Sequence, residues 1–460
     1  MKHSKSKFIT SISSILLAIS TIPLSSCIFI KEEDSVKEYK RNYRFNEIRV
    51  AEQNTFRKIN NVTFPNPNYP TQSKVSDLEK EAYANFSNKT YHALVNTSKP
   101  DNFSYATVGL YSLMNELVGA SSRSDLTADL NELLGLNEAN RQVFYEKIMK
   151  ANSFASEEST TQLKNAAFFN NSFKYNPAYV DILTSLYCQA FELSFKNDAE
   201  KMVEWVNQAV NSDGFIDTKF LELTEDTELY LFSTLYFKNM WANKYLAEEN
   251  VEDDFHLTNG STVKANYMRH SYMTEGYYDY GDYISVTDYY SRGTASITYL
   301  IPKKVEDNIF ELTKDANIFY EDETKLVKDD SEFGNWYTVN LKTPKFTLKA
   351  NLNFKDSLTS LGFGSMFSDQ IDSFHNAFND EKLDEFNLYV SVMKQRNEVE
   401  FNEDGSLVKS VSMAAISKAE SAMPMNGDTL DVDLNQPFIY IIRDINDTPI
   451  FVGHVDNPVV

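Results

Sequence analysis

Histidine, cysteine and glycine are scarce in this sequence. Six His, two Cys and 14 Gly are scattered over 460 residues, too few and too dispersed for a zinc cluster or a phosphate-cradling loop. No G-x-S-x-G elbow, H-E-x-x-H pair, Walker loop or C-x-x-C occurs, so no hydrolase, NTPase or redox chemistry is expected, and no cofactor or metal. Basic residues are also short: 44 Lys and Arg stand against 66 Asp and Glu, a formal charge of −22. The electrostatic footprint of a nucleic-acid binder is missing, and the acidity argues mainly for solubility. Carboxylates abound, yet the sequence pairs none of them with a catalytic partner. His256 and His270 bracket a hairpin-like stretch and read as surface or core residues. Cys188 reads as a buried small hydrophobe in an apolar helix. The chain is read as a non-enzyme.

Hydrophobic residues make up 42% and aromatic residues 13% of the chain, enough for a sizeable core in one large domain or two ordinary ones. At the N-terminus Lys2, Lys5 and Lys7 precede an apolar stretch from Phe8 to Leu24. It is broken by Pro23 and short for a membrane span, as in a secretory signal. It ends in Leu24-Ser25-Ser26-Cys27, which looks like the lipobox of bacterial lipoproteins, where the Cys becomes the lipidated first residue. An ordinary signal peptide and an uncleaved anchor are the alternatives. The organisation expected is a lipoprotein signal peptide over residues 1–26, lipidated Cys27 and a polar tether over 27–72, and a folded domain over 73–460. Only Cys188 then remains, so no internal disulfide is available. The protein is expected as a monomer on the extracellular face of a bacterial cell membrane, held to the lipid bilayer through Cys27.

Helical periodicity begins near Ser76, where "DLEKEAYANFSNKTYHALV" is followed by "VGLYSLMNELVGA" and by "LTADLNELLGL", ending at Gly135. "NPAYVDILTSLYCQAF" and "AEKMVEWVNQAVN" read as further helices. "ELYLFSTLYFKNMW" is a nearly continuous apolar run, as in a strand covered on both faces. "YTVNLKTPKFTLKANLNF", "NLYVSVMKQRNEVEFN" and "QPFIYIIRDINDTPIFVGHV" also read as strands. Helices crowd the first half and strands the second, an α+β order. No internal repeat is seen.

Six segments in order, from about residue 76 to 458, resemble the serpin family. They are "VEWVNQAVNSDGFID", "LFSTLYFKNMW" with its Phe-Lys-x-x-Trp end at Trp241, "ITYLIPK", "LKTPKFTLKANLNFKDSLTSLGFGSMFS", "NEDG" and "NQPFIYIIRD…TPIFVGHVDNP". The resemblance implies a serpin fold: one large mixed β-sheet A, smaller sheets B and C, eight or nine helices and an exposed reactive-centre loop. That loop would be Glu403 to Pro424, with Glu403, Asp404, Gly405 and Ser406 as hinge. Where the family commonly has an Asn and a His that help control sheet opening, this chain has Ser233 and Gln395, and Trp241 is grouped with them in the sheet-opening region.

The implied activity is inhibition of serine, or cysteine, proteases. The target cleaves the loop, which then inserts into the main sheet and carries the acyl-enzyme with it. An inserting strand cannot contain Pro, and Ser406 to Met423 has none. Alternation would put Ser406, Val408, Ser410 and Ser412 on one face, and Leu407, Lys409, Val411 and Met413 on the other. Against insertion stands bulk at Leu407, Val408 and Val411. The spacing of Leu407, Val411 and Ala415 also suits a helical loop of the kind found in non-inhibitory members. A surface lipoprotein that binds or adheres without inhibiting is therefore the alternative function. The family's hinge-to-cleavage spacing, counted from Glu403, lands on Ala419–Glu420. One residue earlier, Lys418–Ala419 suits a trypsin-like pocket, and counting back from Pro437 points instead near Met425. Replacing Cys27 by Ser is expected to abolish incorporation of labelled palmitate and to move the protein from membranes to the medium. Unchanged labelling would contradict the lipobox reading.

Overall fold

The computed structural model describes residues 56–98, 102–328, 336–408 and 429–459. These residues open with β1 (Arg57–Lys58), α1 (Asp77–Ser98), β2 (Phe103–Tyr105), α2 (Thr107–Ala120), α3 (Ser124–Leu134) and α4 (Glu138–Ala151). They continue through β3 (Ser153–Ala155), β4 (Ser159–Asn170), α5 (Pro177–Ser185), β5 (Cys188–Leu193), α6 (Phe195–Ala209) and α7 (Thr218–Leu221). Strands then dominate: β6 (Leu229–Met240), β7 (Val251–His256), β8 (Thr262–Thr274), β9 (Tyr277–Asp279), β10 (Tyr283–Tyr289) and β11 (Ala295–Pro302). After α8 (Ile309–Thr313) come β12 (Tyr337–Pro344), β13 (Phe346–Asn353) and α9 (Lys355–Ser360). The final strands are β14 (Lys394–Asn402), β15 (Gly405–Val408), β16 (Thr429–Asp433), β17 (Phe438–Asp444) and β18 (Pro449–Val455).

The architecture is α+β. An eight-stranded mixed sheet runs in the order β1-β5-β4-β6-β15-β14-β13, with β3 beside β4. A six-stranded sheet, β2-β18-β17-β11-β10-β9, and a four-stranded one, β16-β12-β8-β7, complete it. Local sequence explains the elements. Ser76 and Glu79 form a reciprocal capping box at the start of α1, with the Ser76 amide donating to Glu79 Oε2 at 2.7 Å. Gly135 ends α3 in the left-handed region at φ 75°, which its missing Cβ makes cheap. β13 alternates buried and exposed residues, while every residue of β17 and β18 is buried. Those two strands form the floor under the large sheet, where Tyr440 packs against Phe401 with ring centroids 5.1 Å apart.

Several sequence expectations change. "YTVNLKTPKFTLKANLNF" divides at Lys345 into β12 and β13, which belong to different sheets. Residues 387–393 are irregular, and the strand begins only at Lys394. Cys188 lies in no helix: α5 stops at Ser185, Tyr187 turns the chain with φ 54°, and Cys188 opens β5. It is buried, as expected. The largest change concerns the segment read as tether. Residues 56–72 are laced to the folded body. Phe56 stacks on Phe191 at 5.2 Å, Arg57 pairs with Glu192, and the Ile59 amide donates to Ala190. Further along, the Ala155 amide donates to Pro67, the Thr71 amide to Lys150 and the Tyr69 hydroxyl to Arg292. The Asn- and Pro-rich composition resembled a linker, but here Asn60 supplies backbone-like hydrogen bonds to β5.

Behind the large sheet, Glu116 of α2 is fully buried, and neither carboxylate oxygen has a partner beyond weak contact with the Cys188 thiol. Burial pushes its carboxyl well above the usual carboxylate range. A carboxyl held protonated in the fold stabilises it fully only below the unfolded value, 4.5, and that stability is lost as pH rises. Glu116→Gln removes the titration. The stability of the wild type relative to this variant is expected to fall above pH 4.5, at up to about 1.4 kcal/mol per pH unit. Denaturant melts from pH 5 to 8 check it, and parallel curves would contradict it.

Candidate functional site

β15 is the centre of the site. Its few residues are hydrogen-bonded on both sides, Gly405, Ser406 and Leu407 to Asn402, Phe401 and Glu400 of β14, and Gly405–Val408 to Met240, Asn239, Lys238 and Phe237 of β6. Both ladders are antiparallel, so β6 and β14 run parallel to each other with β15 wedged between them. A Cβ on Gly405 would stand 2.1 Å from the Asn239 carbonyl oxygen. Only glycine allows the chain to enter the sheet there.

The hinge residues are fixed by specific partners. Ser406 is 1% exposed, and its hydroxyl accepts a 2.7 Å hydrogen bond from Tyr290. Tyr290 is stacked on Trp241, with centroids 4.9 Å apart and planes 12° apart. The Trp241 indole N–H donates to the Asn402 carbonyl at 2.9 Å, and its amide donates to Asp404. Glu403 accepts from Lys345 at 2.8 Å and from the Asn250 amide group. Burial pushes its carboxyl up, but these donors outweigh that and hold it below the ordinary value.

Below the stub, no ladder joins β6 to β14 among the described residues. A cavity of about 230 Å³ lies along this seam, lined by both strands and by α2. Ser233 and Gln395 stand here. Gln395 accepts from the Ala106 amide at 2.8 Å, donates to the Ala106 carbonyl at 3.1 Å and accepts from Asn397 at 2.9 Å. The Ser233 hydroxyl is buried without a partner. Both approach Gly109 of α2, where a Cβ would stand 2.9 Å from Gln395 Nε2 and 3.8 Å from Ser233 Oγ. The structure therefore brings Ser233 and Gln395 together at the N-terminus of α2. Trp241, which the sequence grouped with them, sits at the other end of β6 beside the hinge.

Of Val408 only the backbone is described. Ser410, Ser412, Lys418, Ala419, Glu420, Met425 and Cys27 lie outside the described residues. Sequence reasoning missed Tyr290, Asn250 and Gly109, which carry no local motif. Lys345 falls within the quoted Pro-Lys-Phe segment, but its pairing with Glu403 could not be read there. Among the described residues, no group of three or more His, Cys, Asp and Glu is placed to hold a metal ion.

A large mixed sheet with the short strand β15 seated between β6 and β14 points to the class, and comparison with known proteins agrees. A family model described as Serpin (serine protease inhibitor) matches residues 81–458. The chain belongs to the serpins, and as a serpin it is not an enzyme. A serine protease inhibitor of Cyanea capillata is 25% identical over 363 residues, covering 74% of this chain and 89% of its own. Alpha-1-antiproteinase of Ovis aries is 25% identical over 391 residues, covering 82% and 87%. The native thermophilic serpin tengpin superposes with a TM-score of 0.69 at 18% identity, covering 85% of this chain and 97% of its own. Thyroxine-binding globulin in complex with thyroxine gives 0.64 at 19% identity, covering 83% and 99%. At such identity these two structures speak for the fold alone.

Removing the Tyr290 hydroxyl should loosen the hinge while leaving its ring on Trp241. Tyr290→Phe is expected to speed amide exchange of the β15 residues about fivefold, the worth of one hydrogen bond. Unchanged protection would mean that the Ser406–Tyr290 bond does not hold the stub.

Proposed function

We propose that this serpin inhibits proteases by loop cleavage and insertion, and that it does so from a membrane surface. The observation that carries the reading is the seating of β15 between β6 and β14, above a seam where, among the described residues, the two strands form no ladder. Insertion then means extending a strand already nucleated, in a register already set. Ser406 faces Asn239 and Phe401. Continued six residues, the same register would bring Ser412 opposite Ser233 and Gln395. In an inserted strand Ser410 and Ser412 would share the inward face of Ser406, where small side chains suit the packed underside. Bulk at Leu407 and Val408 is no obstacle to entry, since their backbones already lie in the ladder.

Lys418–Ala419 is the bait bond in this reading, for a serine protease of trypsin-like preference. Lipidation of Cys27 would hold the inhibitor on the outer face of the cell membrane as a monomer. Residues 56–72 belong to the body, so a tether would span only the residues before them.

Ser412→Arg places bulk and charge midway along the insertion path without touching the stub. Wild-type protein mixed with trypsin is expected to give an adduct that survives boiling in detergent, with mass spectrometry locating the cut after Lys418. The variant is expected to be cleaved at the same bond at least as fast, with adduct yield reduced more than about tenfold. Clean cleavage of the wild type without adduct, across serine and cysteine proteases, would contradict inhibition and leave a non-inhibitory binding or adhesive role.

A further inference from the structure

The aromatic stack that backs the hinge leads to a buried ion pair. Trp241, stacked on Tyr290, also meets Tyr245 nearly at right angles, with ring centroids 5.7 Å apart. Tyr245 in turn stacks on the imidazole of His270, with centroids 3.9 Å and planes 21° apart. Nε2 of His270, on β8, stands 3.1 Å from Oδ2 of Asp288, on β10. His270 is 9% exposed and Asp288 0%. Asp288 lies two residues before Tyr290, whose hydroxyl donates to Ser406. The pair therefore reaches the hinge by two routes, through Tyr245 and Trp241 and along the backbone to Tyr290.

Hydrogen bonding decides what this pair requires. His270 Nδ1 lies 2.9 Å from the Asn243 carbonyl oxygen, which can only accept, so Nδ1 carries a proton. Nε2 then faces the carboxylate oxygen out of line for a hydrogen bond, and the contact is held by charge. With a second proton, on Nε2, the buried aspartate has its counter-ion, and the charged ring lies over the Tyr245 face as a cation–π contact. Without that proton a nitrogen lone pair meets an uncompensated buried carboxylate, which is costly. The Tyr289 amide donates to the other carboxylate oxygen at 2.7 Å but does not neutralise its charge.

No neighbouring group takes over the charge. The titratable side chains around the pair are Tyr245 from the connection after β6, Tyr272 on β8, Tyr289 and Tyr290 beside Asp288, and Tyr299 on β11. Burial pushes each of these phenols up, and the Asp288 charge adds to it, so they stay neutral. Among the described residues neither member of the pair has a second ion pair. Histidine is the side chain whose charge changes between about pH 5 and 8. We propose that His270 and Asp288 form a proton-operated latch for the hinge: with the imidazole charged the pair braces Trp241 and Tyr290 and holds β15, and loss of the proton as pH rises lets that strand open. His270 is thus a positioning residue, acting on Ser406 through the aromatic stack. The latch does not depend on inhibition.

Amide protection factors, which remove the intrinsic pH dependence of exchange, test the latch on the full chain. From about pH 5.5 to 8 the protection of the β15 amides is expected to fall about tenfold relative to that of the β17 amides, the effect of one proton lost over one pH unit. His270→Gln, whose side chain cannot change charge, should give a flat relative profile. Asp288→Asn should also give one, because its amide can donate to the uncharged ring, and this isosteric variant decides the matter if His270→Gln does not fold. A pair that merely filled space would leave the wild-type profile flat as well. Melting curves verify the fold of each variant. The proposal is overturned by β15 protection independent of pH in the wild type, by a fall that β17 shares in equal measure, or by a fall that persists in either folded variant.

Discussion

The double ladder around β15 is the interaction on which the rest of this molecule depends. Gly405–Val408 pair with β6 on one side and β14 on the other, and the neighbouring features read as devices that hold this short strand in place. Gly405 admits the backbone against Asn239. Ser406 is anchored from below by Tyr290, which Trp241 backs. Glu403 is clamped at the mouth by Lys345 and Asn250. The turn between β14 and β15 is thereby fixed to within one residue, and so is the register of any strand that continues from it.

Holding the stub has a consequence lower in the sheet. With β15 between them, β6 and β14 are kept a strand's width apart at the top. Among the described residues they form no ladder with each other below. Gln395 ties β14 to the start of α2 through Ala106, and Ser233 on β6 faces the same glycine, Gly109. Gln395 thus fixes the β14 side of the seam to the helix beneath, while Ser233 on the β6 side packs near that helix without a hydrogen bond. A completed strand would satisfy backbone groups on both sides and bury side chains against α2, so the native state is one that further pairing can stabilise.

Much of this was legible in the sequence. Glycine 405 and its neighbours, the Pro-free run after them, and the apolar strand ending in Trp241 announced both the sheet and the hinge. What could not be read depended on contacts distant along the chain. Tyr290 lies 116 residues from Ser406, and no local pattern marks it. Trp241 was grouped with Ser233 because both lie on β6, but a strand of that length has two ends, and only the upper one meets the hinge. Residues 56–72 looked like a linker because their composition is polar; their order comes from β5 and β3, which supply partners for Asn60 and Pro67. Cys188 went to the wrong element because an apolar run too short to show its period fits helix and strand alike.

The central claim is that the large sheet has a strand position the loop can complete. The melting temperature of the protein before and after a single cut in the loop tests this most directly. A completed strand predicts a rise well beyond the few degrees that one extra kcal/mol would give a domain of this size. A cleaved protein that melts at the same temperature as the intact one, or below it, would contradict the account.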